Sequence, residues 1–394
     1  AYDYNILHET FNYGIGAQYM INKGNYITAD CYADHFSSSY CFFKDNKTYN
    51  GKAGEEQVRK RTRNHNLSIK GIFKLGNRHK LSVGTEYIVD VLKSQTDNIA
   101  KEDAYTLALF AQDEIKLLRN LQALIGVRYI YHENFKNHAT PNVALMYKPG
   151  KFNFRASYAA GFRTPTLSEL YATDIAKKND RLTIGNLDLK PEKNNYFSLS
   201  AEYVHERFSV SVNAFYNNIR DMIDYNTIAT GDKAMEQYGH KEVRQRDNIA
   251  EAKVHGINVS ANAYLGAGFN LSGGYTHLNT QDAELEQPID KSIKNAYNIN
   301  AQWAHSWKIY RLNINLNGRI NSKRFSKSYG YAPEYQLWDL NTRHSFNLKS
   351  VIIEPGFGME NLFDYMDDRP YNSNYATLTP GRSFYISLSL KFKS

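Results

Sequence analysis

The sequence predicts an all-β fold, a transmembrane antiparallel β-barrel, and three observations carry that prediction. The segment Arg382–Phe392 puts Phe384, Ile386, Leu388, Leu390 and Phe392 on one face and Ser383, Tyr385, Ser387, Ser389 and Lys391 on the other. Successive side chains of a strand point to opposite sides, so one face is apolar and the other wet. Such segments recur along the chain at roughly the ten-residue length that carries a tilted strand across a bilayer. The links between them alternate between tight and long, the pattern of bacterial barrels with short periplasmic turns and longer outer loops.

Taken in order, tight links are expected at 22–24, 76–78, 119–120, 148–150, 205–206, 266–268, 306–307 and near Glu354-Pro355. Gly, Asn and Pro dominate most of them, and these residues supply turn conformations. Long outer loops are expected at 44–62, 94–103, 134–140, 163–192, 222–248, 279–293, 322–334 and 366–381. The strands between show clear alternation: Phe152, Phe154, Ala156 and Tyr158 against Asn153, Arg155 and Ser157, and Phe208, Val210 and Val212 against Ser209, Ser211 and Asn213. Ile257, Val259 and Ala261 oppose Asn258, Ser260 and Asn262, and Leu312, Ile314 and Leu316 oppose Asn313, Asn315 and Asn317. The apolar set is expected to face lipid and the amide set the lumen. An amphipathic helix would space its apolar residues by three and four, which these runs do not. The pattern makes about seventeen strands, an odd number, whereas single-chain bacterial barrels have an even number. The expectation is therefore that residues 1–394 are one partial barrel domain, with the first strands lying upstream.

Composition agrees. The mean hydropathy is −0.59, and there is no apolar run of about 18 residues to form a spanning helix. A barrel dilutes its apolar face with a polar lumen, so both facts are compatible with membrane crossing. The 31 Tyr and 20 Phe against 9 Pro suit rings placed at the lipid headgroup level. Net charge is +8, and the densest basic run, Arg59-Lys60-Arg61 with Arg63, reads as a loop near anionic headgroups rather than a nucleic-acid stripe. Cys31 and Cys41, if on one continuous strand, lie ~33 Å apart and cannot bridge. No cofactor motif, metal motif or nucleophile–base set is visible, so no enzyme activity is expected.

Two stretches then resemble the TonB-dependent outer-membrane receptors. One runs Gly161-Phe-Arg-Thr-Pro-Thr-Leu-Ser-Glu-Leu-Tyr171 and continues at Gly185-Asn-Leu-Asp-Leu-Lys-Pro-Glu192; the other is Glu360-Asn-Leu-Phe-Asp364 followed by Pro380-Gly-Arg382 and the terminal strand. The family pattern has Ala where Thr164 stands and N-P-N-L where Asn186-Leu187-Asp188-Leu189 stands. By that resemblance Arg163, Pro165, Glu169, Asn186, Pro191, Glu192, Asn361, Gly381, Arg382 and Phe392 are architectural.

The resemblance implies a barrel of about 22 strands whose lumen is closed by an N-terminal plug. It further implies active import of a scarce large nutrient, cobalamin or a ferric siderophore, across the outer membrane of a Gram-negative cell. Expected partners are the TonB energy-coupling complex acting through the plug, outer-membrane lipid and lipopolysaccharide, and the nutrient, with a surface lipoprotein as a further candidate. Neither the plug nor the coupling motif is expected within these residues. A haem receptor of the same family and a passive porin, whose ~16 to 18 strands also match the count, are the competing readings. No His falls between Phe162 and Pro191, which argues against haem.

Tyrosine grips bulky semi-polar ligands by stacking and hydrogen bonding at low entropic cost. Tyr171, Tyr225, Tyr238, Tyr329, Tyr331 and Tyr371, with Asp174, are therefore the ligand-binding candidates. Arg128, Arg155 and Arg319 alternate toward the lumen and are expected to meet carboxylates of the plug. Asp364, Asp367, Asp368 and Arg369 form an acidic cluster that reads as a solvated loop rather than a calcium site.

Overall fold

The computed structural model describes residues 3–47, 49–176, 180–249, 251–282, 286–326, 329–367, 376–377 and 379–393. The first strands are β1 (Tyr4–Asn22), β2 (Asn25–Phe42), β3 (Glu56–Leu75), β4 (His79–Ser94), β5 (Ile99–Leu118), β6 (Leu121–His132), β7 (Lys136–Tyr147) and β8 (Phe152–Arg163). Helix α1 (Leu167–Tyr171), β9 (Thr173–Ala176), β10 (Arg181–Ile184), β11 (Glu192–Val204) and β12 (Phe208–Arg220) follow. Next come β13 (Met222–Thr230), helix α2 (Gly231–Tyr238), β14 (Glu242–Ile249), β15 (Ala252–Gly266), β16 (Phe269–Asp282), β17 (Asn295–Trp307) and β18 (Tyr310–Asn321). The chain closes with β19 (Arg324–Ser326), β20 (Gly330–Ala332), β21 (Tyr335–Asn347), β22 (Val351–Glu360) and β23 (Ser383–Phe392). Seventeen strands belong to one sheet, a second sheet runs β13-β14-β10-β9, and β19 pairs with β20.

The chain divides into two compact units. The first contains residues 1–145, 158–195 and 219–251. Within it β1 to β6 form an antiparallel meander, each strand paired with the next. The second contains 146–157, 196–218 and 252–394. There β15, β16, β17, β18, β21, β22 and β23 pair successively in the same way. At the turn from β15 to β16 Gly268 has φ 87° and sits against the Ala304 carbonyl, where a Cβ would collide.

Apolar residues on these strands are turned out rather than buried. Ile15 is 76% exposed, and on β23 Ile386 is 77% and Phe392 80% exposed. On β3, Arg61, Arg63, His65, Leu67 and Ile69 are exposed while Thr62, Asn64, Asn66 and Ser68 are half-buried. The half-buried face is bonded across strands: Asn64 to Asp90 at 2.8 Å, and Asn66 to Glu86 at 2.8 Å. Rings gather in bands on the outward face, with Tyr87, Tyr105 and Tyr131 in a row at 6.0 Å spacing. In the second unit Trp303, Trp307, Tyr310 and Phe346 cluster at the tight-turn end. That is the placement expected of headgroup-level aromatics.

Three expectations change. The run Arg59-Lys60-Arg61 with Arg63 lies inside β3, not in a loop, because the ladder to β2 continues past Lys60. Three of the expected outer loops carry regular structure: 163–192 holds α1, β9 and β10, 222–248 holds β13, α2 and most of β14, and 322–334 holds β19 and β20. The last tight turn falls at Leu348–Ser350, where Leu348 N–H bonds Val351 O at 3.0 Å, and Pro355 sits within β22. Pro355 lacks a backbone N–H, and the ladder from β21 skips it. Cys31 and Cys41 share β2 and are both free thiols.

Candidate functional site

Of the tyrosines and carboxylates named from the sequence, Tyr171, Asp174, Tyr225 and Tyr238 lie in the loop segments of the first unit. At the end of β8, Arg163 acts as a hub. Its guanidinium donates to Glu169 at 2.9 Å and to Glu192 at 2.9 Å, and Glu192 also accepts the Ile223 N–H at 2.8 Å. Thr166 and Glu169 form a capping box that starts α1 just after buried Pro165. One arginine thus ties together the end of β8, α1 and the starts of β11 and β13. Burial pushes the Glu169 carboxyl up, but the Arg163 and Thr166 hydrogen bonds outweigh it, so its pKa lies below the usual range. The architectural reading of Arg163, Pro165, Glu169 and Glu192 fits these contacts.

Asn186 belongs to the same frame. Its amide donates to the Arg246 carbonyl at 3.0 Å and its oxygen accepts the Asp188 N–H at 2.9 Å, which fixes the edge of β14. Pro191 is buried beside it. In the second unit Asn361, at φ 51°, bonds both N–H and C=O of Tyr365, and the Arg382 N–H bonds Asp364 after Gly381 at φ 91°. Phe392 stands outward near the end of β23.

Above the frame stands the sheet β13-β14-β10-β9. Its pairing joins β10 to β14 in parallel and to β9 antiparallel. One face packs Ala229, Val243, Leu182 and Ile184 against Ala234 and Tyr238 of α2. The opposite face carries Asp174, Arg181, Thr183, Tyr225, Arg244 and Arg246, which line a recess of about 160 Å³ with Asp97 and Ser168. Arg246 stacks on Tyr225 at 3.6 Å from the ring centre and donates to its hydroxyl at 2.6 Å. Arg244 leans on Glu242. The Nε of Arg181 is buried with no hydrogen-bond partner. Burial and the charge of Asp97 hold the Asp174 carboxyl above its ordinary pKa, while Arg181 pulls it back. Three guanidiniums, a phenol and two carboxylates of which one resists ionisation make a recess suited to an anion with planar oxygens.

The recess therefore brings together Asp174 and Tyr225 from the predicted set and adds Arg181, Arg244 and Arg246. Arg244 and Arg246 were hidden inside a presumed loop, although the alternation Val243-Arg244-Gln245-Arg246 is a strand signal with arginines on one face. Tyr238, the last residue of α2, packs into the small core between that helix and the sheet, and Tyr171 packs against two apolar clusters, around Leu167 and around Leu170. Tyr171's phenol is pushed up by burial and by Glu102 and Glu133. Tyr329 and Tyr331 are exposed at 59% and 61%. Tyr371, Asp368 and Arg369 lie outside the described residues.

The three arginines expected at the lumen differ. Arg128 finds its carboxylate within the sheet, at Glu86, across β4 to β6. Arg155 contacts the Met146 sulfur at 3.3 Å. Arg319 is exposed on the amide face of β18. That face belongs to a recess of about 480 Å³ in the second unit, lined by Asn300, Gln302, Asn313, Asn315, Asn341 and Arg343 among others. Among the described residues no group of three or more His, Cys, Asp or Glu could hold a metal ion.

A family model described as TonB dependent receptor-like, beta-barrel, matches residues 1–362. Among solved structures the ferric enterobactin receptor PfeA of Pseudomonas aeruginosa superposes with a TM-score of 0.79 at 18% identity, over 98% of this chain and 62% of that one. The siderophore receptor PirA of Acinetobacter baumannii gives 0.69 at 16%, over 94% and 63%. BauA, the ferric preacinetobactin receptor of the same organism, gives 0.70 at 15%, over 98% and 63%. At these identities the likeness is one of fold. The chain spans less than two thirds of the length of these receptors.

Proposed function

This chain belongs to the TonB-dependent receptor β-barrel family of the Gram-negative outer membrane, and on that premise we propose that it imports an anionic ferric siderophore. The family consists of receptors rather than enzymes, and membership sets the passive porin aside. The observation that carries the ligand class is the arginine and tyrosine recess of the outer sheet. Catecholate or carboxylate oxygens around iron(III) are planar, paired and negatively charged, and guanidinium forks match them bidentately. A recess of about 160 Å³ is smaller than the ~300 Å³ at which whole-ligand pockets begin, so it receives one arm of a chelate. Cobalamin presents neutral amides and has no need of three arginines. Haem uptake would call for an iron-ligating imidazole, and none lines this recess. Solved neighbours are named for ferric enterobactin and ferric preacinetobactin, which favours the same class. Energy for the import would come from the TonB complex through the receptor's plug.

The test is uptake by a strain lacking the receptor, complemented with the intact gene. Iron-55 delivered as a tricatecholate chelate is expected to enter only with the gene present. Restored uptake of cobalamin or haem, without that of ferric chelates, would overturn the assignment.

A further inference from the structure

The recess of the outer sheet carries charge of both signs, and the sheet keeps them apart. Register runs from Asp174 on β9 through Thr183 on β10 and Arg244 on β14 to Thr227 on β13, and it sets Arg246 opposite Tyr225. Neighbouring strands lie ~4.8 Å apart, so Asp174 and Arg244 are separated by ~10 Å of sheet. The β4–β5 connection brings a second acid to the β9 edge. The Asp97 carbonyl accepts the Thr173 N–H at 2.7 Å, and Asp97 lines the same recess. Guanidiniums thus gather toward β13 and carboxylates at β9, with Arg181 of β10 between them.

The acidic end is poorly matched by the protein itself. Asp97 reaches Lys60 only at 3.7 Å and accepts from the Ser168 hydroxyl at 3.4 Å, both through Oδ2. A partly exposed pair of that length contributes little. Among the described residues the Asp97 Oδ1 accepts no hydrogen bond, and Asp174 forms no ion pair. Burial and the charge of Asp97 oppose ionisation of Asp174. Ionised carboxylates only accept hydrogen bonds, so what this end lacks is a donor that carries positive charge.

We infer that the arm received by this recess is dipolar: its anionic oxygens meet the guanidiniums, and a protonated amine on it sits between Asp97 and Asp174. Those two carboxylates are then the specificity-determining residues of the site. The inference rests on the import of an anionic ferric chelate and narrows it to chelates with an amine-bearing arm. The experiment is a fluorescence titration of the intact receptor in neutral detergent with two ferric chelates. One is a linear tricatecholate whose backbone carries a single lysine; its twin has norleucine there, a chain of similar length ending in methyl. The lysine chelate is expected to bind about tenfold tighter, as charge-assisted hydrogen bonds to two carboxylates imply. The twin is the more negative of the two and the protein's net charge is +8, so long-range attraction opposes this order. The Asp97→Asn/Asp174→Asn variant should abolish the preference by weakening the lysine chelate and tightening the twin, opposite shifts that a merely structural loss does not produce. Asp232→Asn, at the exposed start of α2, keeps the preference. Should the double variant fail to fold, Asp97→Asn and Asp174→Asn singly decide, each with about a threefold loss of preference. Equal binding on the wild type, or tighter binding of the twin, overturns the dipolar arm and leaves the import reading standing, since a ferric tricatecholate is still bound. A preference that survives in the double variant also overturns it, because the amine is then held elsewhere. Binding of neither chelate overturns both readings.

Discussion

Two regions of the first unit solve the same problem by opposite means. The wall strands β1 to β6 expose their large apolar residues, Phe11, Ile15, Leu109 and Tyr129 among them, and half-bury their polar face. The sheet β13-β14-β10-β9 does the reverse, burying Val243 completely against Ala234 of α2 and showing arginines on its other face. The wall relies on lipid to cover its apolar side. The outer sheet is covered by its own helix, α2, and behaves as a small soluble domain. Hydrocarbon surroundings stabilise the first, and hydrophobic burial in water the second.

That contrast can be broken most strongly on the wall. Leu109→Arg puts a charge on the lipid face and is expected to cost about 2–4 kcal/mol, while Gln112→Arg on the other face costs far less. Folding into vesicles, followed by urea titration, measures both; equal losses would contradict the two-faced wall. Next comes Arg163→Ala, which removes the joint between wall and outer sheet. Allowing for its partial exposure, about 2–3 kcal/mol is expected, seen as faster proteolysis of 164–190 with the wall strands still protected. Val243→Ala should cost about 1–2 kcal/mol by opening a small cavity in the outer sheet alone. Hydrogen exchange should then rise in β13 and β14 and stay unchanged in β3 and β4. The smallest effect concerns acidity. Because Asp174's pKa is raised, it takes up its proton first as pH falls, and the recess grows more positive. Anionic chelates should therefore bind a few-fold tighter toward acid pH, a trend that Asp174→Asn removes in a fluorescence titration.

How legible each region was in the sequence follows from the same physics. In the wall a two-residue period is imposed by lipid on one side and water on the other, so Phe384 to Phe392 or Leu312 to Asn317 read directly. It fails at Arg59–Arg63, where the strand rises beyond the apolar band and no hydrophobic residue marks the beat. Backbone pairing with β2 continues there regardless. The outer sheet was illegible for another reason. Asp180 and His240, which bond at 2.9 Å, lie 60 residues apart, and β10 meets β14 in parallel, a pairing no local pattern announces. Tyr238 was misplaced accordingly, since a tyrosine in a presumed loop looks available until the core it completes is seen. The capping pair Thr166 and Glu169 and the turn at Asn361 were readable because they are local.

The most direct measurement is the affinity of the intact receptor for a ferric tricatecholate, with and without the guanidinium that stacks on Tyr225. Removing it by Arg246→Ala is expected to weaken binding about tenfold, or ~1.4 kcal/mol, with the wall's thermal stability unchanged. An unaltered dissociation constant in a folded variant would contradict the account, because the ligand would then be held elsewhere.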